Sequence, residues 1–338
     1  MPAVPPPSSP RVVVSASIAY DYIMSFGGSF KDHILPDKAH VISVSFLLDA
    51  LVQQRGGVGG NISYTLALLS EPSALVGTVG RDFGEYREAF ELLGIDLSNV
   101  VTLDDELTSS SFMNADMAGN QIAAFYPGAG GRSAELDVTE AARAARFGIV
   151  GAGAPDAMRK HADEIVAAGC SLIFDPSQQI VILTGDDLLS GIDAADIVIG
   201  NDYEFGMMER KTGLTVADIA ARVRMAVVTY GDRGSEIFTG GEVVAIPIAT
   251  PEQVADPTGG GDAYRAGFIK GLLLGAELPV VGRMAALAAT YAIERHGPQE
   301  HQFTAAEFVA RFDGAFPDHA GVLSAGDLAA NLATADMT

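Results

Sequence analysis

Short, continuously apolar runs alternate with longer segments of mixed polarity through most of the chain. The runs lie in "RVVVSAS" (11–17), "SALVGTV" (73–79), "RFGIVGA" (146–152), "CSLIFD" (170–175), "ADIVIG" (195–200) and "RMAVVTY" (224–230). A strand with one wet face alternates apolar and polar residues, whereas a strand apolar at successive positions is buried on both faces. These runs therefore predict a parallel sheet covered by helices, an α/β fold. The mixed segments predict helices at about 57–70, 84–93, 155–168, 202–211 and 258–275.

Two stretches break this rhythm. Residues 18–50 carry aromatic and polar residues without a long helix, and "ELTSSSFMNADMAGNQIAAFYP" (106–127) reads as two strands joined near "MAGN". Together they predict a small second layer that closes over a site. The first ten residues, "MPAVPPPSSP", read as a disordered leader, and "SAGDLAANLATADMT" as a short helix with a loose end at 331–338. Between them, 11–330 is read as one α/β domain with its lid.

Composition narrows the function classes. Apolar residues make up 48% of the 338, yet charges and glycines interrupt every run before about 18 residues, so no membrane span is predicted. The leader has neither the basic nor the apolar region of a secretory signal, and the expected location is the cytoplasm. Cys170, the single cysteine, opens an apolar run and is read as a buried side chain. The formal charge is −22 and basic residues do not cluster, which argues against nucleic acid as a partner. An anionic ligand would need local donors and a metal cation to offset that field. The six histidines show no i, i+4 pair, so a zinc site is not expected.

The candidate chemistry centres on "DPTGGGDAYRAGF" (256–268). Its glycines let backbone N–H groups approach a ligand at the positive end of a helix. Asp262 stands where a phosphate-binding loop has its lysine, and a carboxylate repels phosphate. Two readings follow: an ordinary first-turn acid, or a base that takes a proton from an attacking hydroxyl beside an anion hole. "VTYGDRGSE" (228–236) offers a second glycine turn after a strand, and "GAGAPD" (151–156) lacks the third glycine of a dinucleotide fingerprint. In "GNDYE" (200–204), Asn201 and Glu204 stand one helical turn apart, facing a hydrated magnesium ion or simply capping a helix. "RGGVGGN" (55–61) ends in Asn61, suited to a polyol hydroxyl or part of a hinge.

Taken together, these segments resemble the ribokinase family, the PfkB carbohydrate kinases. "DPTGGGDAYRAGF" is similar to its C-terminal signature, "RGGVGGNISYTLALLS" with "VGTVGRDFG" to its N-terminal one, and "NDYE" to its N-x-x-E motif. Within the family, "SIAYDYIMSF", "SVSFLLDALVQQRGGVGGN", "AAFYPGA" and "DPSQQ" resemble adenosine kinases of the mycobacterial type. The resemblance implies a doubly wound, mostly parallel sheet with helices on both faces and a small β lid. It implies transfer of the ATP γ-phosphoryl group to a hydroxyl of a nucleoside, adenosine first, or of a sugar such as ribose or fructose.

By motif match, Asp262 is the base and Gly259, Gly260 and Gly261 form the anion hole. Asn201 and Glu204 organise magnesium through water, while Thr229, Gly231 and Gly234 meet ATP. Asp21, Gly57 and Asn61 hold the ribose hydroxyls, with Ser17, Ser45, Gln178 and Gln179 adding polar contacts. Asp175 is a strand-end cap. Phe112 and Phe125, on the two lid strands, are placed to sandwich a purine or to form lid core. The family usually has alanine or valine at the position of Gly260. Asp256 matches a monovalent-cation position, but Pro257 replaces a common threonine, which leaves potassium open. Monomer and homodimer both remain open, as does a nucleoside sensor without turnover; an NAD-dependent oxidoreductase is disfavoured.

Overall fold

Val12, Val13 and Val14 are all fully buried, yet they do not share a core. Val12 and Val14 join one apolar cluster and Val13 another, on the opposite side of the sheet. The same division separates Ile197 and Ile199 from Val198, and Val227 from Ala226 and Val228. This is why the strands lack polar alternation: both faces exclude water, and each large aliphatic residue so buried stabilises by about 1.5–3 kcal/mol.

The computed structural model describes residues 10–33 and 44–329, so most of the expected leader and the tail at 331–338 lie outside the described residues. In chain order the strands are β1 (Val12–Ser15), β2 (Ala19–Phe26), β3 (Ala50–Gly56), β4 (Ala74–Gly80), β5 (Asp96–Leu103), β6 (Ser109–Asp116), β7 (Gln121–Tyr126), β8 (Phe147–Val150), β9 (Ser171–Phe174), β10 (Ile197–Asn201), β11 (Met225–Thr229), β12 (Ser235–Thr239) and β13 (Glu242–Ile246). The main sheet runs β13-β12-β11-β10-β9-β8-β1-β4-β5. It is parallel from β5 to β11 and ends in the antiparallel strands β12 and β13.

Helices Val58–Leu68, Gly84–Leu92, Gly260–Leu273, Leu278–Ile293 and Ala305–Ala315 supply one core, and Pro155–Ala167, Gly185–Ala194, Asp202–Thr212 and Val216–Arg222 the other. After β1 the chain builds outward through β4 and β5, then returns to β8 on β1's other side. The connections leaving β1 and β8 therefore run to helices on opposite faces of the sheet, opening the crevice where such sheets place ligands.

The second layer is a four-stranded sheet in the order β3-β2-β6-β7. Its inner strands β2 and β6 are parallel, with Asp21 beside Ser111 and Tyr22 beside Phe112. Asp116 shapes the turn from β6 to β7 by accepting from the Ala118 and Asn120 amides at 2.9 and 2.8 Å. The lid extends past the expected limit at residue 50, because β3 runs on to Gly56, where the helix Val58–Leu68 takes over.

Candidate active site

Gly259 closes the glycine turn in the left-handed region, at φ 80°. A Cβ there would also lie 2.5 Å from the Pro298 Cβ, so backbone geometry and packing both require glycine. Gly260 is buried, and a Cβ on it would lie 2.7 Å from Ile293 Cγ2. That contact explains why this chain departs from the family's larger residue. The helix begins at Gly260, and among the described residues the amides of Gly261 and Asp262 have no acceptor. Two free donors at a helix N-terminus are the arrangement that receives an anion.

Asp262 stands in that first turn, half-buried, with Oδ2 accepting from Asn61 Nδ2 at 2.8 Å. Burial pushes its pKa up to about 6; Arg265 and the Asn61 bond pull the other way, and Glu204 and Asp21 add to the rise. A carboxylate with that pKa is ionised at neutral pH yet basic enough to take a proton. Asn61, expected on a ribose hydroxyl, is engaged by Asp262 instead. Its Oδ1 accepts from Gln299 Nε2 at 2.9 Å, and the same nitrogen donates to the Tyr86 hydroxyl at 2.6 Å. Tyr86 in turn donates to the Gly56 carbonyl at 2.8 Å.

Arg265, one turn along the same helix, is 5% exposed and is the cation of the cleft. It is salt-bridged to the fully buried Asp175, with Nη2 donating to Oδ1 at 2.6 Å, and it lies 3.6 Å from Glu204. Burial alone would lower its pKa; Asp175 and Glu204 more than offset this and push it up. Asp175 is therefore an ion-pair partner at the end of β9. Glu204 reciprocates with Asn201 in a capping box: Asn201 Oδ1 accepts from the Glu204 amide at 2.8 Å and Glu204 Oε2 from the Asn201 amide at 2.7 Å. The cap fixes Glu204 at the cleft, and burial pushes its pKa up against the pull of Arg265. Asp175, Glu204 and Asp262 thus share one guanidinium, which leaves an excess of negative charge at the cleft. No group of three metal-ligating side chains occurs among the described residues.

On the lid side, burial and the neighbouring Asp256 push Asp21 up to about 6. Gly57, at φ 86°, is required by close backbone approach, since a Cβ would lie 2.5 Å from the Ser17 carbonyl. The Ser17 hydroxyl accepts from the Val58 amide at 3.0 Å, capping that helix. Ser45 is exposed on the segment leading to β3, Gln178 is exposed and Gln179 half-buried in the turn after β9.

The aromatic sandwich is corrected. Phe125 pairs with Ser111 and hence shares the face of Asp21, whereas Phe112 pairs with Ala124 on the other face and stacks on Tyr22, centroids 4.9 Å apart. Two neighbouring positions on a strand point to opposite sides, so both rings cannot meet one purine from this sheet.

At the far end, Gly231 and Gly234 form the turn from β11 to β12 with φ 62° and 89°, and Thr229 closes β11. Beside them a groove of about 610 Å³ is lined by Tyr230, Arg233, Ser235, Glu236 and Pro247. Asp256 accepts from the Thr258 amide at 2.9 Å and the Gly297 amide at 3.1 Å, tying the glycine turn to the loop at 297. Cys170 is buried, as expected.

Sequence reasoning missed Arg265 and Gln299. Arg265 stands three residues after Asp262, on the same helical face, a spacing that carried the signal. Gln299 has no local signal, because it meets Asn61 only through the tertiary fold.

A family model described as pfkB family carbohydrate kinase matches residues 21–305. The chain is 30% identical over 295 residues to a nucleoside kinase of Methanothermobacter thermautotrophicus, covering 86% of this chain and 95% of that protein. Its structure is similar to that of Burkholderia thailandensis nucleoside kinase in complex with inosine, with TM-score 0.82, 36% identity and coverage of 90% of this chain and 98% of the other. The same kinase in complex with ADP-inosine gives TM-score 0.80 and 37% identity, with 90% and 96% covered. These relatives are nucleoside kinases, a broader class than the mycobacterial-type adenosine kinases the motifs suggested.

Proposed function

The chain belongs to the pfkB carbohydrate kinase family, a phosphotransferase family acting on hydroxyl groups, and from that premise we propose that it phosphorylates the 5′-hydroxyl of purine nucleosides, adenosine first among them, with ATP as donor. The observation that carries the reading is Asp262, a carboxylate held by Asn61 beside two unpartnered amides at the helix N-terminus. Asp262 takes the hydroxyl proton as the oxygen forms its bond to the γ-phosphorus and the bond to the bridging oxygen of ADP breaks. The amides of Gly261 and Asp262 stabilise charge on the transferred group. Asp21 accepts hydrogen bonds from the ribose hydroxyls, and Phe125, on the same lid face, stacks on the base. Magnesium, which offsets phosphate charge when bound, would be held through water by Glu204 and Asn201. Asp256 braces the glycine turn through the Thr258 and Gly297 amides.

The nucleoside kinase relatives, one of them solved in complex with inosine, support the acceptor class. Free ribose is the second reading, favoured by Phe112 facing away, since one ring holds a base less firmly than two. An assay of ADP formation from ATP over adenosine, inosine, ribose and fructose, with and without magnesium, separates them. Turnover with the nucleosides and magnesium is expected. ADP formation with free sugars alone, or with no acceptor in the panel, overturns the reading.

A further inference from the structure

We infer that Gln299 is a positioning residue for the proposed transfer: acting through Asn61, it holds one oxygen of Asp262 and leaves the other to receive the hydroxyl proton. The inference rests on Asp262 being the base. An asparagine amide has two ends of nearly equal size, and only its NH₂ end suits a carboxylate; the carbonyl end would repel it. Asn61 is buried, so water cannot orient it. Its carbonyl needs a donor from behind, and Gln299 Nε2 is that donor, at 2.9 Å. The second proton of that nitrogen goes to the Tyr86 oxygen at 2.6 Å, and Tyr86 passes its own proton to the Gly56 carbonyl at 2.8 Å. Both protons of Gln299 Nε2 and the Tyr86 proton are thereby assigned, and reversing either amide sets oxygen against oxygen.

Three further observations support the assignment. Tyr86 is fully buried among Tyr20, Phe83 and Phe90, with centroids 5.5, 5.0 and 4.7 Å away, which fixes its oxygen. Gly60 lies where any Cβ would collide with that oxygen, so part of the glycine pattern before Asn61 makes room for the relay. Among the described residues Gln299 Oε1 has no partner, so the amide is held by its Nε2 end alone. The same loop places Pro298 against Gly259 and the Gly297 amide on Asp256, so it braces the anion hole and the base together.

The test uses Gln299→Met, which keeps the volume and removes the donor, Tyr86→Phe, which removes the anchor of the donor's second proton, and Asp262→Asn as the control for the base. The charged groups facing Asp262 are Arg265 on its own helix, Glu204 after β10, Asp175 after β9 and Asp21 on β2, and none is altered. A hydrogen bond to the ionised form lowers a carboxyl pKa, so freeing Asn61 raises it. In Gln299→Met the acid limb of kcat/KM against pH is expected to move up by about one unit, with about a fivefold loss at pH 6. Nucleoside KM stays within about twofold, and the melting temperature falls modestly, because Asn61 Oδ1 loses its buried donor even as the bare Oε1 is removed. Tyr86→Phe moves the limb the same way by less. An unmoved acid limb in both variants, or a lower kcat with an unmoved limb, overturns the positioning role while the base stands. Near-parental turnover in Asp262→Asn overturns the base, and this inference with it.

Discussion

Replacing Asp262 by Asn should stabilise the fold at neutral pH while it removes turnover. Burial and its acidic neighbours raise the Asp262 pKa from 3.8 to about 6, so the folded protein holds this proton more tightly than the unfolded chain does. The stability tied to that proton is fully present below pH 3.8 and is lost as pH rises through about 6. At about 1.4 kcal/mol per pKa unit the ceiling is about 3 kcal/mol; the carboxyl is half-buried, and solvent screening brings the figure to about 1–2 kcal/mol. Asparagine keeps an oxygen to accept from Asn61 and has no charge to repel Asp21 and Glu204. Urea unfolding of parent and variant at pH 4, 6 and 8 reads the difference directly. The two should be nearly equal at pH 4, with the variant ahead by about 1–2 kcal/mol at pH 8. A difference independent of pH, or a variant less stable at pH 8, would refute the electrostatic account of the cleft.

Three further outcomes follow from the packing. Gly260→Ala should destabilise by about 1–3 kcal/mol through the collision with Ile293 Cγ2, and Ile293→Leu, which removes that methyl, should recover part of the loss in the double variant; calorimetric melting that shows additive losses would count against the contact. Asp175→Asn, which strips Arg265 of its two-point partner, should destabilise by about 3 kcal/mol in urea unfolding, and a change under about 1 kcal/mol would show that Glu204 and Asp262 suffice. Phe125→Ala should raise adenosine KM roughly tenfold, while Phe112→Ala, on the other lid face, leaves it nearly unchanged. The reverse ranking would place the purine against the Tyr22 stack.

The strands and the glycine turn were legible because each rests on short-range chemistry. β1, β4, β8, β9, β10 and β11 are apolar at successive positions, and the helix after the turn begins where the glycines stop. β5, "DLSNVVTL", was missed because an edge strand need not be apolar throughout, and β13 because most of it is exposed. The lid strands could be read, but not which residues oppose each other. The turn at Met117–Asn120 sets that register, and an offset of one residue exchanges the two faces, which is how Phe112 came to lie opposite Phe125's side. At the site, Asp21, Asp262, Asn61 and Glu204 could be named from their motifs. Their joint electrostatics could not, because Arg265, Asp175 and Gln299 act across long stretches of chain. Ser17 and Asn201 show a related limit: a side chain in a motif can hold the backbone that shapes a site.

The most direct test is the rate of ADP formation by Asp262→Asn with adenosine, ATP and magnesium, measured beside adenosine affinity by calorimetry. The account predicts a fall of about a thousandfold or more in kcat with adenosine affinity essentially kept, the loss of a general base at an intact site. A rate within about tenfold of the parent would contradict it.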